Sequence, residues 1–262
     1  MISAYFEKVN SDLNARFFSR FGYQQRFLEL IRARLRPKAL ILDLGAGSVD
    51  GSRVWVDGTT KDGLRVVACD LAFERLSRNP NPRRLIADAA CLPFRDAAVD
   101  LIATDNMFEH LVEPLGVLAE CCRVLKRGGA LVFATPYKYS YISVAASITP
   151  LRVHYWARRI QEGKRAGRLL EACATYYRLN TPKDIEHCAR SAGLNVQGLD
   201  FYVGAPCYTL RMPPPVHLLF VVLHKLIEKL EWLRRMAGIS LVGQLGNKTA
   251  QRNSTGAAED RQ

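Results

Sequence analysis

Four acids and two glycines in the first half of the chain are the residues best placed to do chemistry: Asp43, Asp70, Asp88 and Asp105, with Gly45 and Gly47. Each acid ends or follows a short apolar run of the kind that forms a buried parallel strand. The runs are Ala39–Leu44, Arg65–Cys69, Arg84–Ala87 and Val99–Thr104. In an open α/β sheet, ligands bind outside the carboxyl ends of the strands. The first run passes into Asp43-Leu44-Gly45-Ala46-Gly47-Ser48. Two glycines there let the backbone approach a ligand closely, and free N–H groups at the turn can hold a carboxylate.

The acids also restrict the ligand. Asp70, followed by Leu71, lies twenty-three residues after Gly47 and can accept from ribose hydroxyls. Asp88-Ala89 ends the third run, and the fourth enters Asp105-Asn106-Met107-Phe108-Glu109-His110. Such a row suits a ligand rich in donors and positively charged, as a cationic adenosyl amino acid is. A dinucleotide loop, G-x-G-x-x-G, needs glycine at position 50. The residue there is Asp50, an anion that would face a pyrophosphate.

The elements that must hold these residues alternate. A helix over Gln24–Leu35 stops before Pro37, and a helix over Pro114–Leu125 runs into Lys126-Arg127-Gly128-Gly129, read as a C-terminal stop. A fifth strand follows at Ala130–Thr135. Strands alternating with helices predict an α/β, Rossmann-like, doubly wound and mostly parallel sheet. Thr181-Pro182-x-Asp184 opens a further helix closed at Gly193, and Asn195–Val203 reads as a strand. Pro213-Pro214-Pro215 introduces an amphipathic helix over about Val216–Met236. The resulting organisation is an N-terminal helical segment (1–38), a cofactor-binding core (39–136), a cap over the acceptor (137–180), the end of the sheet (181–212), the C-terminal amphipathic helix (213–246) and a disordered tail (247–262).

The stretches LDLGAG, VVACDLA, ADAACLPFRDAAVDLI, DNMFEHL and RVLKRGGALVFATP resemble the class I S-adenosylmethionine-dependent methyltransferases of the type-11 group, which includes enzymes of ubiquinone and menaquinone synthesis. The resemblance covers residues 39–136 and extends through Thr175–Thr181 and the C-terminal helix toward a bacterial subgroup. It implies S-adenosylmethionine as cofactor, with Asp43, Gly45, Ala46 and Gly47 at its methionine part. Asp70 and Leu71 would lie at the ribose and Asp88 and Ala89 at the adenine, with Asp105 beside them. Two features depart from the family: Val49 stands where a third glycine is frequent, and residues 50–64 are longer and more polar than its usual first helix.

Methyl transfer from a sulfonium is an in-line displacement, so the protein mainly aligns donor and acceptor. A hydroxyl acceptor also needs a base, and His110 is the candidate, with a structural role as its alternative. Glu109 reads as an orienting or solvent-facing residue. The turn after the fourth strand lacks the proline-proline-aromatic sequence of amino-methylating enzymes. For the acceptor pocket the candidates are Tyr137, Tyr176, Tyr177 and Arg178, with packing of the cap as the alternative for each aromatic and a carboxylate- or phosphate-binding fork as the role of Arg178.

Charge points the same way. The net charge is +12, yet residues 39–136 carry eleven Lys/Arg against thirteen Asp/Glu, while 137–262 carry eighteen against nine. A near-neutral core with basic surroundings favours an anionic small-molecule, lipid-linked or saccharide-linked acceptor, methylated at oxygen or carbon. Nucleic acid fits less well, because no RNA-binding module is recognisable. An RNA methyltransferase and a non-catalytic cofactor-binding or adaptor module remain the alternatives. The basic amphipathic C-terminal helix suits the core, a second subunit or an anionic membrane. Seven cysteines without C-x-x-C spacing imply no metal site. With no signal peptide or spanning segment, they imply a cytoplasmic protein that can sit on the inner face of the membrane.

Overall fold

The computed structural model describes residues 2–18, 22–48, 63–148 and 174–247. The sheet forms around strands whose side chains are apolar on both faces, a pattern satisfied only when both faces are covered. Its strands are β1 (Leu40–Leu44), β2 (Arg65–Asp70), β3 (Arg84–Ile86), β4 (Val99–Asp105), β5 (Leu125–Pro136), β6 (Leu194–Tyr202) and β7 (Ser240–Asn247), in the order β3-β2-β1-β4-β5-β7-β6. β1 pairs parallel with β2, from Leu40↔Arg65 to Leu44↔Cys69, and on its other side with β4. The β2–β3 and β4–β5 pairs are parallel as well. Strand order reverses between β1 and β4, which makes their carboxyl ends the switch point where such folds bind ligands.

The helices are α1 (Ile2–Phe17), α2 (Tyr23–Arg32), α3 (Phe73–Leu76), α4 (Pro114–Val124), α5 (Tyr141–Ile148), α6 (Pro182–Ser191), α7 (Pro214–Lys229) and α8 (Glu231–Ala237). α6 starts as its sequence predicts: the Thr181 hydroxyl accepts from the Asp184 N–H, and Pro182 occupies the first turn, where its missing N–H costs nothing.

Three expectations need correction. Lys126–Gly129 are not a helix stop; α4 ends at Val124 and β5 begins at Leu125. The C-terminal helix is not continuous, because Leu230 is extended (φ −98°, ψ 109°) and separates α7 from α8. Residues 240–246, assigned with that helix, and Asn247, assigned to the tail, form β7 between β5 and β6. Two glycines weaken the strand signal of β7, and its place comes from pairing with strands distant in sequence. The predicted first helix over 50–64 falls largely outside the described residues, as do most of the cap and the tail.

The chain forms two compact units: Arg26–Thr135 with Tyr176–Asp200 and Val242–Gln262, and Met1–Gln25 with Pro136–Thr175 and Phe201–Leu241. The first holds nearly all of the sheet. In the second, α1 is tied to the segment before α7: Asn10 Nδ2 donates to the carbonyls of Leu210 (2.7 Å) and Met212 (2.9 Å), and Arg211 pairs with Glu7 at 2.9 Å. Segments that read as separate pieces at the two ends of the chain therefore belong to one body.

Candidate functional site

The turn after β1 is held from below. Gly45 (φ +76°) and Gly47 (φ +51°) take left-handed backbone conformations, which cost an L-residue about 1–2 kcal/mol. A Cβ on Gly45 would lie 2.9 Å from Met107 Cγ, so the close approach of β1 and the β4 turn also requires glycine. The N–H groups of Gly45 and Ala46 both donate to the Cys69 carbonyl, at 2.9 and 3.0 Å, and that of Gly47 donates to Asp70 Oδ2 at 2.8 Å. The expected free N–H cradle for a carboxylate is therefore absent at 45–47; these donors are used inside the fold. Asn79, buried beneath, donates to the carbonyls of Gly47 (3.1 Å) and Ala46 (3.4 Å). It escaped sequence reasoning because an asparagine in a loop gives no sign of what it braces.

Asp70 is fixed by the same contacts. Its second oxygen accepts from the Ala72 N–H at 2.8 Å, which leaves each oxygen one further lone pair. Leu71 beside it is 71% exposed and so presents an apolar surface at the rim. Asp88 caps its own loop through the Ala90 N–H (2.9 Å). That loop is anchored by Arg123, which donates to the Leu92 carbonyl (3.1 Å), to both oxygens of Glu120 (2.8 and 2.7 Å) and to Asp96 (2.6 Å). Asp88 is exposed and Ala89 half-buried.

Asp43 differs. It is buried at the end of β1, and its Oδ2 has no hydrogen-bond partner among the described residues. Burial, then the charges of Asp105 and Asp70, push its carboxyl up to about 8. An acid in this state is incomplete: a donor or cation placed against it would satisfy the orphan oxygen and favour ionisation. The cationic adenosyl amino acid inferred from the sequence fits that requirement. Asp43, Asp70 and Asp105 are brought together closely enough for their charges to act on one another.

Beyond β4, the turn Phe108–His110 presents a second buried acid. Glu109 accepts from Thr135 Oγ1 at 3.3 Å, and Asn180 Nδ2 donates to the same hydroxyl at 2.7 Å. The Glu109 carbonyl receives the N–H groups of Tyr176 (2.7 Å) and Tyr177 (3.2 Å). Burial raises the Glu109 carboxyl above its usual range. Thr135 and Asn180 were not anticipated, since sequence separation hides their convergence. His110 is half-exposed, with Nε2 3.8 Å from Glu109 Oε1.

The expected acceptor residues divide between the units. Tyr176, Tyr177 and Arg178 stand in the sheet unit. Arg178 Nη1 donates to the Val112 carbonyl at 2.6 Å and pairs with Glu113 at 3.5 Å, so part of its fork is engaged by the loop after β4. Its guanidinium also lies 5.8 Å from the Tyr176 ring. Tyr177 has φ +51°. Tyr137 belongs to the other unit and is buried there, edge-on to Phe201 (5.2 Å) and Tyr139 (5.7 Å), the contacts of a packing residue. Residues 149–173 of the predicted cap lie outside the described residues. Among the described residues no group of acids, histidines and cysteines is arranged to hold a metal ion.

Comparison with known proteins agrees with this geometry. The methyltransferase domain family matches residues 42–133. A demethylmenaquinone methyltransferase of Thermobifida fusca is 30% identical over 167 residues, covering 55% of this chain and 68% of that protein. One from Paenarthrobacter aurescens is 37% identical over 98 residues, covering 36% of this chain but only 37% of its own length. The fold matches the crystal structure of a geranyl diphosphate C-methyltransferase from Streptomyces coelicolor with a TM-score of 0.54, at 15% identity and over 86% of this chain and 80% of that one.

Proposed function

Because this chain belongs to the class I S-adenosylmethionine-dependent methyltransferases of the type-11 group, we propose that it transfers the methyl group of S-adenosylmethionine to a small or lipid-linked acceptor, at oxygen or carbon. The observation that carries this reading is the orphan Asp43 oxygen at the switch point, beside an Asp70 carboxylate already locked to the glycine turn. Asp43 and Asp105 would face the cationic end of the cofactor, with Gly45, Ala46 and Gly47 forming a bare wall beside it. Asp70 and Leu71 would meet the ribose, and Asp88 and Ala89 the adenine. Bound there, the cofactor supplies a methyl group on a positively charged sulfur, activated for displacement.

The chain's own task is to align the acceptor and, for a hydroxyl, to remove its proton. His110 is the base in this reading. Glu109 positions it: once the imidazole is protonated, Glu109 Oε1 at 3.8 Å stabilises the charge, and the hydrogen bond from Thr135 holds the carboxyl in place. The two demethylmenaquinone methyltransferases among the relatives support an apolar, lipid-borne acceptor here and attachment to the inner face of a membrane. Any acidic group on that acceptor would meet the outward part of Arg178.

Calorimetric titration with S-adenosylmethionine tests the cofactor assignment. Asp70→Ala should weaken binding by ~1–3 kcal/mol, the range for losing a charged acceptor. Unchanged affinity would remove Asp70 from the site. Incubation with labelled cofactor and fractionated lipid, saccharide and RNA extracts tests the acceptor: label in the lipid fraction is expected, and label in RNA alone would replace this reading with RNA methylation.

A further inference from the structure

The C-terminal helices carry their apolar residues on the outside. α7 turns His217, Val221, His224 and Ile227 inward, all buried. Two of these four are polar and anchored. His217 Nδ1 meets Thr209 Oγ1 at 2.7 Å and its Nε2 meets Asn14 Oδ1 at 3.1 Å, while His224 Nδ1 lies 2.6 Å from the Gly204 carbonyl and its Nε2 contacts the Tyr141 hydroxyl. Four hydrogen bonds, to α1, to α5 and twice to the connection between β6 and α7, thus set the rotation of the helix. Turning it to bury its leucines would carry both imidazoles to the surface and leave the buried Asn14 and Thr209 without their imidazole partner, at an energetic cost. The outward face is therefore specified.

That face is apolar along its whole length. Leu219 (67% exposed), Val222 (58%) and Leu226 (49%) form its centre, opposite the histidines, with Leu218 and Leu223 beside them. Beyond the break at Leu230, α8 exposes Trp232 (60%) and Met236 (64%). From Val216 to Leu230 the face extends ~20 Å at 1.5 Å per residue. Soluble monomers rarely expose so continuous an apolar strip without a function for it. The leucines of the amphipathic helix thus face away from the core, while Ile227 is turned inward.

We propose that this face inserts shallowly into the interfacial region of an anionic lipid bilayer, with α7 lying in the membrane plane. The inference rests on the lipid-borne acceptor for its purpose, and on the helix alone for its physics. Charge decides between occupants. Residues 225–235 carry Lys225, Lys229, Arg234 and Arg235 against Glu228 and Glu231, a net charge of +2, with Lys225 paired to Glu228 and Arg235 to Glu231. Cations flanking an apolar face, with an exposed tryptophan in the helix that follows, match the composition of interfacial helices. Across a two-fold contact with a second copy, this net positive surface would face itself. No helix among the described residues is long and apolar enough to cross a membrane, so insertion would be shallow.

The test is co-sedimentation of the full chain with phosphatidylcholine vesicles, with and without one-third phosphatidylglycerol, in the absence of cofactor and acceptor. Binding to the anionic vesicles is expected, weakening at least tenfold in 0.5 M salt or in the Leu219→Glu/Leu226→Glu variant. Both substitutions are on the surface, and an unchanged circular dichroism melt will verify folding. Lys229→Glu/Arg235→Glu should reduce binding to anionic vesicles while sparing any residual binding to neutral ones. Absence of vesicle binding, or binding that the leucine variant leaves intact, overturns the proposal. So does a dimer in light scattering that the leucine variant converts to monomer, because the occupant would then be a second copy. Methyl transfer measured in detergent is read separately: its loss would count against the enzymatic reading, and its survival without vesicle binding against this one.

Discussion

Two carboxyl groups are buried at the carboxyl end of the same sheet, and the protein treats them in opposite ways. Glu109 is tied in on every side: its carboxyl takes a hydrogen bond from Thr135, which is itself held by Asn180, and its carbonyl takes two backbone N–H groups. Asp43 is left with an oxygen that nothing among the described residues satisfies, beside two other acids. Both are raised above the normal carboxylate range, chiefly by burial. A buried acid satisfied by its own chain belongs to the frame, whereas one left unsatisfied waits for a ligand. A shift of pKa does not separate the two; the inventory of partners does.

Substitutions can break this contrast. The largest effect should come from Gly45→Ala, which places a Cβ 2.9 Å from Met107 Cγ at a φ of +76°. Strain and displacement of Met107 should lower cofactor affinity ~100-fold, equivalent to ~2.7 kcal/mol. Affinity within threefold of the parent in a calorimetric titration would show that the turn does not shape the site. Next, Glu109→Ala should reduce unfolding free energy by ~1–3 kcal/mol, because the buried Thr135 hydroxyl loses its acceptor, while the backbone carbonyl that receives Tyr176 and Tyr177 is retained. Urea denaturation measures this, and Glu109→Gln, which can still accept from Thr135, should recover most of it. Cofactor affinity should remain unaltered in both; a loss there would move Glu109 to the ligand side of the comparison.

Asp43→Asn should weaken cofactor binding about tenfold, the equivalent of ~1.4 kcal/mol. The sign of its pH dependence follows from the raised carboxyl. The folded protein holds this proton up to about 8 while the unfolded chain releases it near 3.8, so the stability it contributes is complete below the lower value and lost as pH rises through the higher. A bound cation favours the ionised form, so binding at pH 7 should release a proton and tighten as pH approaches about 8. Calorimetry in buffers of different ionisation heat measures the release, and the asparagine variant should abolish it. If parent and variant release equally, Asp43 does not meet the cationic end. The smallest effect is expected of Arg178→Ala. Its half-exposed pair with Glu113 should be worth under ~1 kcal/mol in thermal unfolding. A raised KM for the acceptor, with kcat unchanged, would place the guanidinium in the acceptor pocket.

What the sequence determined by itself was the alternation of strands and helices, the strand ends where Asp43, Asp70, Asp88 and Asp105 stand, and the glycine turn. These follow from local periodicity and chain order, which fix where a parallel sheet presents its carboxyl ends. Only the tertiary structure decided how the polar atoms there are used. It assigned the N–H groups of 45–47 to the fold instead of a ligand and placed Asn79 under the turn. It also joined Glu109 to Thr135 and Asn180, inserted β7 between β5 and β6, and turned the histidines of α7 inward and its leucines outward. Hydrogen-bond partners distant in sequence carry no periodic signal, and amphipathic spacing marks a stripe without saying which side of the helix the core will take.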